Sequence, residues 1–434
     1  MNRVSPLTEA YKYAWEPIAL KIMSGLIKDQ FPGTETEIWH LISGDDRDPF
    51  FRAVRTKNPD LVVFSELDLL VSGVNSLAEG IKNINPAIVT VAGGKQSSAL
   101  RKGDLFPFRH IDAAFRGGPG ALLRYMERMP GKADYIAGEI KIDERGRVCD
   151  DGAQGERPHL ARPFDHVEMR KTAVANQTME SYISEWQSHP SVLEGPIRTS
   201  PCYFGEGCPY QCAFCQSPLE FDRKPALLCG PRETAGEIAW LMKNHGVNNF
   251  FSLEANMNLN NLREVYRVLE EGFGIPYAAV SGFIRAPDVV KAGKENLLRE
   301  LVQRGLRVLS VGLDIPADSK TDVYRKSFSY GDMRESLDLC KEYGILVLGT
   351  VVGDPGRSRE EFAFQLEALK SLPVADIDIR LAMAIRNTAY YRENKKYLLH
   401  DPDGPDKGRD YFDRQNYRYQ TIQYPGKISP GETY

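Results

Sequence analysis

Apolar and polar positions along this chain fall into two stretches, each of which reads as short buried strands separated by amphipathic helices. In the first, DLVVFSEL (60–67) is followed by the helix-like LAEGIKNI (77–84), then AIVTVAGG (87–94), HIDAAFRGG (110–118) and the helical ALLRYMERM (121–129). Short apolar runs alternating with helices predict a doubly wound parallel α/β sheet with helices on both faces. The ligand crevice of such a sheet lies beyond its strand C-termini, where Ser65, Gly93, Gly94, Gly117 and Gly118 fall. The same glycines equally suit tight strand-to-helix turns.

Between about 131 and 195 Gly, Pro and charge are scattered without a sustained period, as in DERGRVCDDGAQGERPHLARP, which predicts an irregular linker with one helix at MESYISEW (179–186). Alternation resumes near 196. Six strands are expected at IRTSPCYF, NNFFSLEA, YAAVSGFI, RVLSVGLD, LVLGTVVG and DIDIRLAM. Helices are expected between and after them, at RETAGEIAWLMKNH, NLREVYRVLEEG, KENLLRELVQRG, GDMRESLDLCKEYG and REEFAFQLEALKSL. Gly246, Gly305 and Gly344 stand where left-handed C-caps would stop three of these helices. Six strand-helix units predict a partial (β/α)6 barrel with its working residues at the strand C-termini. The resulting division is 1–135 for the first domain, 136–195 for the linker, 196–390 for the barrel and 391–434 for a C-terminal extension. That extension holds Tyr411, Tyr417, Tyr419 and Tyr424, suited to a surface wrap or to covering the barrel mouth.

Composition adds boundaries rather than a function. The chain has 434 residues, 42% hydrophobic and 26% charged, enough for two or three domains with sizeable cores. Lys plus Arg number 55 against 59 Asp plus Glu, so no general basic field points to nucleic acid or an anionic membrane. Neither a signal-peptide core nor a run of about 20 apolar residues is found, which predicts a cytoplasmic protein. Seven cysteines are an odd number in a reducing compartment and make a poor disulfide framework.

Three of the seven, Cys208, Cys212 and Cys215, lie within GEGCPYQCAFCQSP (205–218) and are expected to bind metal. Their spacing lets three thiolates converge on one metal centre from a single loop. Zinc held by cysteine normally takes four ligands, often from two C-x-x-C pairs, and only one such pair is present. Cys149, Cys202, Cys229 and Cys340 offer no partner pair, and Cys340 stands mid-helix, where a buried thiol is the usual explanation. A 4Fe-4S cluster on three cysteines leaves one iron open to substrate or cofactor.

CPYQCAFC, following a strand and opening six β/α units, resembles the signature of the radical S-adenosylmethionine enzymes. The resemblance covers roughly 196–390. It implies that Cys208, Cys212 and Cys215 hold the 4Fe-4S cluster, that Phe214 contacts the adenosyl group, and that S-adenosylmethionine binds the open iron. FFSLEANMNLN resembles the end of the second strand in that family, implicating Glu254 and Asn256 at the methionyl amino group, although Ala255 and Asn256 depart from the usual paired acids. FIRAPD is similar to the third-strand segment, with Arg285 near the cofactor. SVGLD resembles the ribose-contacting fourth strand, with Asp314, and GTVVGDPG the glycine-rich fifth strand, with Gly353 against adenine. Each of these also suits a plain role: Glu254 and Asp314 as helix-capping acids, and Gly353 as part of a turn.

The first domain resembles the Rossmann-like cobalamin-binding domain that precedes many such barrels, on VVFSEL, INPAIVTVAGG and HIDAAFRGGPGALLRYM. This implies Ser65, Gly93, Gly94, Gly117 and Gly118 near the cofactor's nucleotide tail. The D-x-H-x-x-G segment that supplies a lower axial histidine is missing, and His40 and His110 lie outside any such context.

Together the resemblances imply a cobalamin-dependent C-methyltransferase acting on an unactivated carbon of a peptide, protein or natural product. One S-adenosylmethionine would supply the methyl group through cobalamin and another the 5′-deoxyadenosyl radical that removes a hydrogen. An electron donor such as a flavodoxin or ferredoxin is implied as partner, with no membrane or nucleic acid. A second enzymatic reading keeps the radical but ends in epimerisation, cyclisation or bond cleavage. A third, a zinc-holding recognition module without catalysis, is disfavoured by the absent fourth ligand and the balanced charge.

Overall fold

A computed structural model of the chain describes residues 17–399 apart from 42–44, 67–70, 117–119, 130–138, 150–165, 188–195, 203, 206, 218–229, 314–323, 327–328, 354–355 and 357. The chain divides into two compact units. One comprises residues 1–22, 160–211 and 223–380; the other comprises 23–159, 212–222 and 381–434.

The second of these units is built on three parallel strands, β1 (Leu61–Glu66), β2 (Val89–Gly94) and β3 (Ala113–Phe115), in the order β1-β2-β3. Helices α1 (Ile18–Gln30, whose first turns belong to the other unit) and α2 (Asp48–Lys57) precede the sheet. Helices α3 (Val71–Ile84), α4 (Lys95–Ala99) and α5 (Gly120–Arg128) follow its three strands in turn. Phe50 and Val54 of α2, Phe64 of β1, Ala78 and Ile81 of α3 and Ile88 form one buried cluster. The apolar faces repeat every three or four residues on the helices and meet the sheet, as amphipathic helices on a parallel sheet must. Asp112 fastens the start of β3, its carboxylate accepting from the Thr90 amide at 2.7 Å and from Lys82 at 2.6 Å.

The other unit holds a seven-stranded sheet in the order β10-β9-β8-β7-β6-β5-β4. Its strands are β4 (Ser184–Gln187), β5 (Pro196–Cys202), β6 (Asn249–Ser252), β7 (Ala279–Ile284), β8 (Leu306–Gly312), β9 (Leu346–Gly353) and β10 (Asp376–Leu381). The steps from β5 to β9 are parallel, as six β/α units require. All four residues of β6 and most of β7 and β8 are buried, the mark of strands covered on both faces. Ile197 of β5 packs with Val308 of β8 and with Leu346 and Leu348 of β9, although β6 and β7 lie between in the sheet. Contact across two intervening strands requires the sheet to curl, which makes this a half-barrel.

The outer helices are α7 (Pro231–His245), α8 (Leu259–Phe273), α9 (Ala286–Lys294), α10 (Leu297–Arg304), α11 (Tyr330–Glu342) and α12 (Arg359–Lys370), with α6 (His166–Lys171) ahead of them. Each of the six strands lies where the pattern predicts, whereas α9 was not anticipated, because APDVVKAGK is short and interrupted by Pro and Gly. The region expected to be an irregular linker supplies α6 and β4. The helix predicted at MESYISEW is instead a 3-10 turn, Met179–Tyr182, followed by β4, antiparallel to β5. Pairing with the edge of an existing sheet outweighs the weak local helical pattern.

Gly246 ends α7 in the left-handed conformation, as expected. Gly305 departs from the expectation: its φ of +128° lies outside the left-handed helical well. A Cβ there would fall 2.0 Å from the Ala278 carbonyl oxygen, so the position demands glycine for close approach to the chain entering β7. Cys340 is fully buried in α11, where burial pushes its thiol up to about 12.

Candidate functional site

Of the predicted residues, Glu254, Asn256, Arg285 and Gly353 stand at or just past strand ends of the half-barrel. Register aligns Cys202 of β5, Ser252 of β6 and Gly282 of β7 at one level. Beyond that level the Leu253 amide donates to Cys202 O at 3.0 Å and the Met257 amide to Phe283 O at 2.7 Å. The segment 253–257 is thereby stitched to both neighbouring strands. Gly282 keeps it close: a Cβ there would meet Ser252 Cβ at 3.0 Å and Met257 Sδ at 3.2 Å.

Glu254 projects from this segment and is buried, 6% exposed. Ser252 Oγ and the Asn258 amide donate to its Oε2 at 3.2 and 3.3 Å. These long bonds do not offset desolvation, which pushes the carboxyl up to about 7. Helix capping of α8 falls to another residue, since Asn258 Oδ1 accepts from the Asn260 and Asn261 amides. The capping role open to Glu254 is therefore taken.

Asn256 is engaged at both ends of its amide, Nδ2 donating to Asp288 Oδ2 at 3.0 Å and Oδ1 accepting from the Arg285 amide at 3.0 Å. Arg285 follows β7 as the N-cap of α9, and its guanidinium carbon stands 3.7 Å from the Tyr210 ring centroid, a cation-π arrangement. Tyr210 Oη donates to Asp288 Oδ1 at 2.7 Å. Burial first, and Asp288 second, hold the Tyr210 hydroxyl protonated above its ordinary range. Gly207, Tyr210, Glu254, Asn256, Asp288 and Lys291 are among the residues lining a pocket of about 290 Å³. Tyr210 and Asp288 were not singled out in the sequence. Their signal was present: a tyrosine inside the C-x-x-x-C and an acid in the first turn of a helix opened by Pro.

Gly353 ends β9, buried. Asp314 lies outside the described residues, one position past Leu313, whose amide donates to Thr350 O at 2.8 Å.

Cys208, Cys212 and Cys215 are half-buried on the segment that follows β5. The two compact units divide this segment between Gln211 and Cys212. Within the second unit, the Cys215 amide donates to Cys212 O at 3.0 Å, and Ala213 O accepts from the Tyr390 amide at 2.9 Å. Tyr390 stands on α13 (Ala389–Asn394), whose N-cap Thr388 accepts from the Tyr391 amide at 3.1 Å. Phe214, between the two cysteines, is half-buried. Among the described residues no three Cys, His, Asp or Glu side chains gather as they would around one metal ion. Three soft thiolate donors on one loop fit an iron-sulfur cluster, in which each binds a different iron.

Residues 202–367 match the Radical SAM superfamily. The chain carries a radical SAM domain. The match begins at the end of β5 and runs through α12, the elements that carry Cys208, Glu254, Asn256, Arg285 and Gly353. Enzymes of this superfamily use a 4Fe-4S cluster and S-adenosylmethionine.

Among curated proteins, an uncharacterized methyltransferase of Pyrococcus horikoshii is 22% identical over 368 residues, 81% of this chain and 75% of its own length. An anaerobic magnesium-protoporphyrin IX monomethyl ester cyclase of Rubrivivax gelatinosus is 22% identical over 76% of this chain, which spans 58% of that protein. Hopanoid C-3 methylase of Methylococcus capsulatus is 23% identical over 72% of this chain and 56% of its own length. Among solved structures, the radical S-adenosylmethionine methyltransferase TsrM of Kitasatospora setae, with cobalamin and a [4Fe-4S] cluster bound, gives a TM-score of 0.65 at 18% identity over 88% of this chain and 75% of its own. The cobalamin-dependent S-adenosylmethionine radical enzyme OxsB, with aqua-cobalamin and S-adenosylmethionine bound, gives 0.60 at 14% identity over 88% and 52%. These similarities establish a shared fold.

In the second unit, register sets Ser65 beside Gly93 and Glu66 beside Gly94 on the C-terminal edge of the three-stranded sheet. Gly94 has φ +130°, which favours glycine and shows that it makes the turn into α4. A Cβ on Gly93 would meet only Phe115 O, at 3.9 Å, so backbone there is open to close approach. Gly117 and Gly118 lie outside the described residues. His40 is half-buried, and desolvation lowers its pKa from the ordinary imidazole value. His110 is exposed, with φ +59°.

Proposed function

We propose that the chain is a cobalamin-dependent radical S-adenosylmethionine C-methyltransferase acting on an unactivated carbon of a peptide, protein or natural product. The observation that supports it best is the run of similarity to TsrM over 88% of the chain, with the three cysteines on the segment that follows β5. The Pyrococcus and Methylococcus relatives, both named for methyl transfer, support the same outcome.

In this reading Cys208, Cys212 and Cys215 hold the cluster, and the Glu254 carboxylate holds the ammonium group of S-adenosylmethionine. Arg285 and Asp314 face its polar groups, and Phe214 and the bare backbone of Gly353 flank its adenine. Ser65, Gly93, Gly94, Gly117 and Gly118 receive the nucleotide tail of cobalamin, to which small residues and open backbone are suited. When bound, the reduced cluster and S-adenosylmethionine supply a radical able to take hydrogen from a carbon without acidic protons, and cobalamin supplies the methyl group. The chain's own share is to orient these groups and keep water from them. A flavodoxin or ferredoxin of the cytoplasm delivers the electron. Among the described residues no helix is long and apolar enough to cross a membrane.

Anaerobic reconstitution with iron, sulfide and hydroxocobalamin tests the reading: a bound corrinoid and a product heavier by one methylene unit are expected. Absence of corrinoid together with an unmethylated product contradicts it. The similarity to the Rubrivivax cyclase favours a second reading, radical chemistry without methyl transfer. Product mass separates the two.

A further inference from the structure

We infer that Asp288 is a positioning residue that fixes the Cys208 end of the cluster loop against the segment bearing Glu254. The inference rests on the radical S-adenosylmethionine reading above. Its basis is that one carboxylate accepts from two different segments: Tyr210 Oη reaches Oδ1 at 2.7 Å, and Asn256 Nδ2 reaches Oδ2 at 3.0 Å. Tyr210 lies two residues after Cys208, and Asn256 two residues after Glu254.

Asp288 itself sits in the first turn of α9, its amide donating to Arg285 O at 3.0 Å. An acid there favours the helix through the N-terminal dipole. That role needs neither Tyr210 nor Asn256. The remaining contacts close a ring: Asn256 Oδ1 accepts from the Arg285 amide, and the Arg285 guanidinium lies over the Tyr210 ring. Three strand ends, β5, β6 and β7, thus meet on one carboxylate beside the pocket that Glu254 lines. Tyr210 links Asp288 to the Cys208 end of the loop and Asn256 links it to the Glu254 segment, so Asp288 acts on the cluster's surroundings by position.

The consequence is separable from cluster assembly, which depends on the three thiols. Asp288→Ala is expected to take up iron and sulfide to the wild-type level and to show an unchanged electron paramagnetic resonance spectrum when reduced. The change in that spectrum on adding S-adenosylmethionine should be diminished. The KM for S-adenosylmethionine in its reductive cleavage should rise about tenfold, the effect of one to two lost hydrogen bonds, with a smaller change in kcat. Tyr210→Phe should shift both readouts the same way. The double variant should be no worse than Asp288→Ala alone, as expected of groups acting through one network, and Asp288→Asn, keeping one acceptor, should fall between. An unaltered spectral response and KM in Asp288→Ala, or additive losses in the double variant, overturn the inference. Should Asp288→Ala fail to fold, Tyr210→Phe decides by the same spectral response and KM. If wild-type protein forms no cluster and cleaves no S-adenosylmethionine, the underlying reading fails instead.

Discussion

Burial lifts the Glu254 carboxyl to about 7, and the sign of the effect can be followed in the apo-protein. The folded state holds the proton more tightly than the unfolded chain, whose carboxyl has its ordinary value near 4.5. Stability associated with this group is therefore intact below about 4.5, falls as pH rises, and levels off above about 7, a loss of roughly 3 kcal/mol at most. Glu254→Gln should flatten the denaturation midpoint over that window; an unchanged slope would show that the group ionises freely. The same substitution should weaken S-adenosylmethionine binding by about tenfold or more, as expected for losing a charge-assisted hydrogen bond. In the wild type, affinity should rise with pH through about 7 as the carboxylate forms. Binding measured by equilibrium dialysis at pH 6 and pH 8, chosen as points about one unit either side of that value, checks both.

At the scale of elements, a buried pair braces the strand that leads into the cluster loop. Arg170 of α6 and Glu237 of α7 meet at 2.5 Å with both side chains inaccessible, and Arg170 also donates to the Pro201 carbonyl of β5. Removing one member leaves an uncompensated buried charge, so Arg170→Ala should lower stability by about 3 to 5 kcal/mol, measured by urea denaturation. Gly305→Ala should be comparably damaging, because the added Cβ would overlap the Ala278 carbonyl oxygen. A wild-type midpoint in either variant would contradict the packing described.

These elements also mark how far the sequence was legible. The six barrel strands could be read because short runs such as AVSGFI and LRVLSVG alternate with amphipathic helices along the chain. Arg170 could not, because its partner Glu237 lies 67 positions away and only tertiary structure joins them. For the same reason the local pattern predicts a helix at MESYISEW where β4 begins: the strand's state is set by pairing with β5, not by SEWQ itself. Cys208, Cys212 and Cys215 stand out by spacing alone, whereas Glu254 is singled out only through the resemblance of FFSLEANMNLN to the radical S-adenosylmethionine enzymes. Asp288, whose meaning depends on Tyr210 seventy-eight positions earlier, is not.

For the whole molecule, one chain carries a three-stranded parallel sheet and a half-barrel whose strand β5 leads into the cysteine loop, and 88% of this chain is similar in fold to TsrM. Cys208→Ala, Cys212→Ala and Cys215→Ala should each abolish the brown chromophore of the reconstituted protein, since two thiolates do not retain a cluster that three hold. Retention of wild-type iron in any of them would remove that cysteine from the site. The central claim, radical generation coupled to methyl transfer, leaves a signature in the cofactor even before the substrate is known. Radical cleavage of S-adenosylmethionine yields 5′-deoxyadenosine and methionine, whereas donation of its methyl group yields S-adenosylhomocysteine. The most direct test is mass spectrometry of both nucleosides after anaerobic reduction of the reconstituted enzyme with and without hydroxocobalamin. The account predicts 5′-deoxyadenosine in both samples and S-adenosylhomocysteine only with the corrinoid; 5′-deoxyadenosine alone in both, or neither product in either, would contradict it.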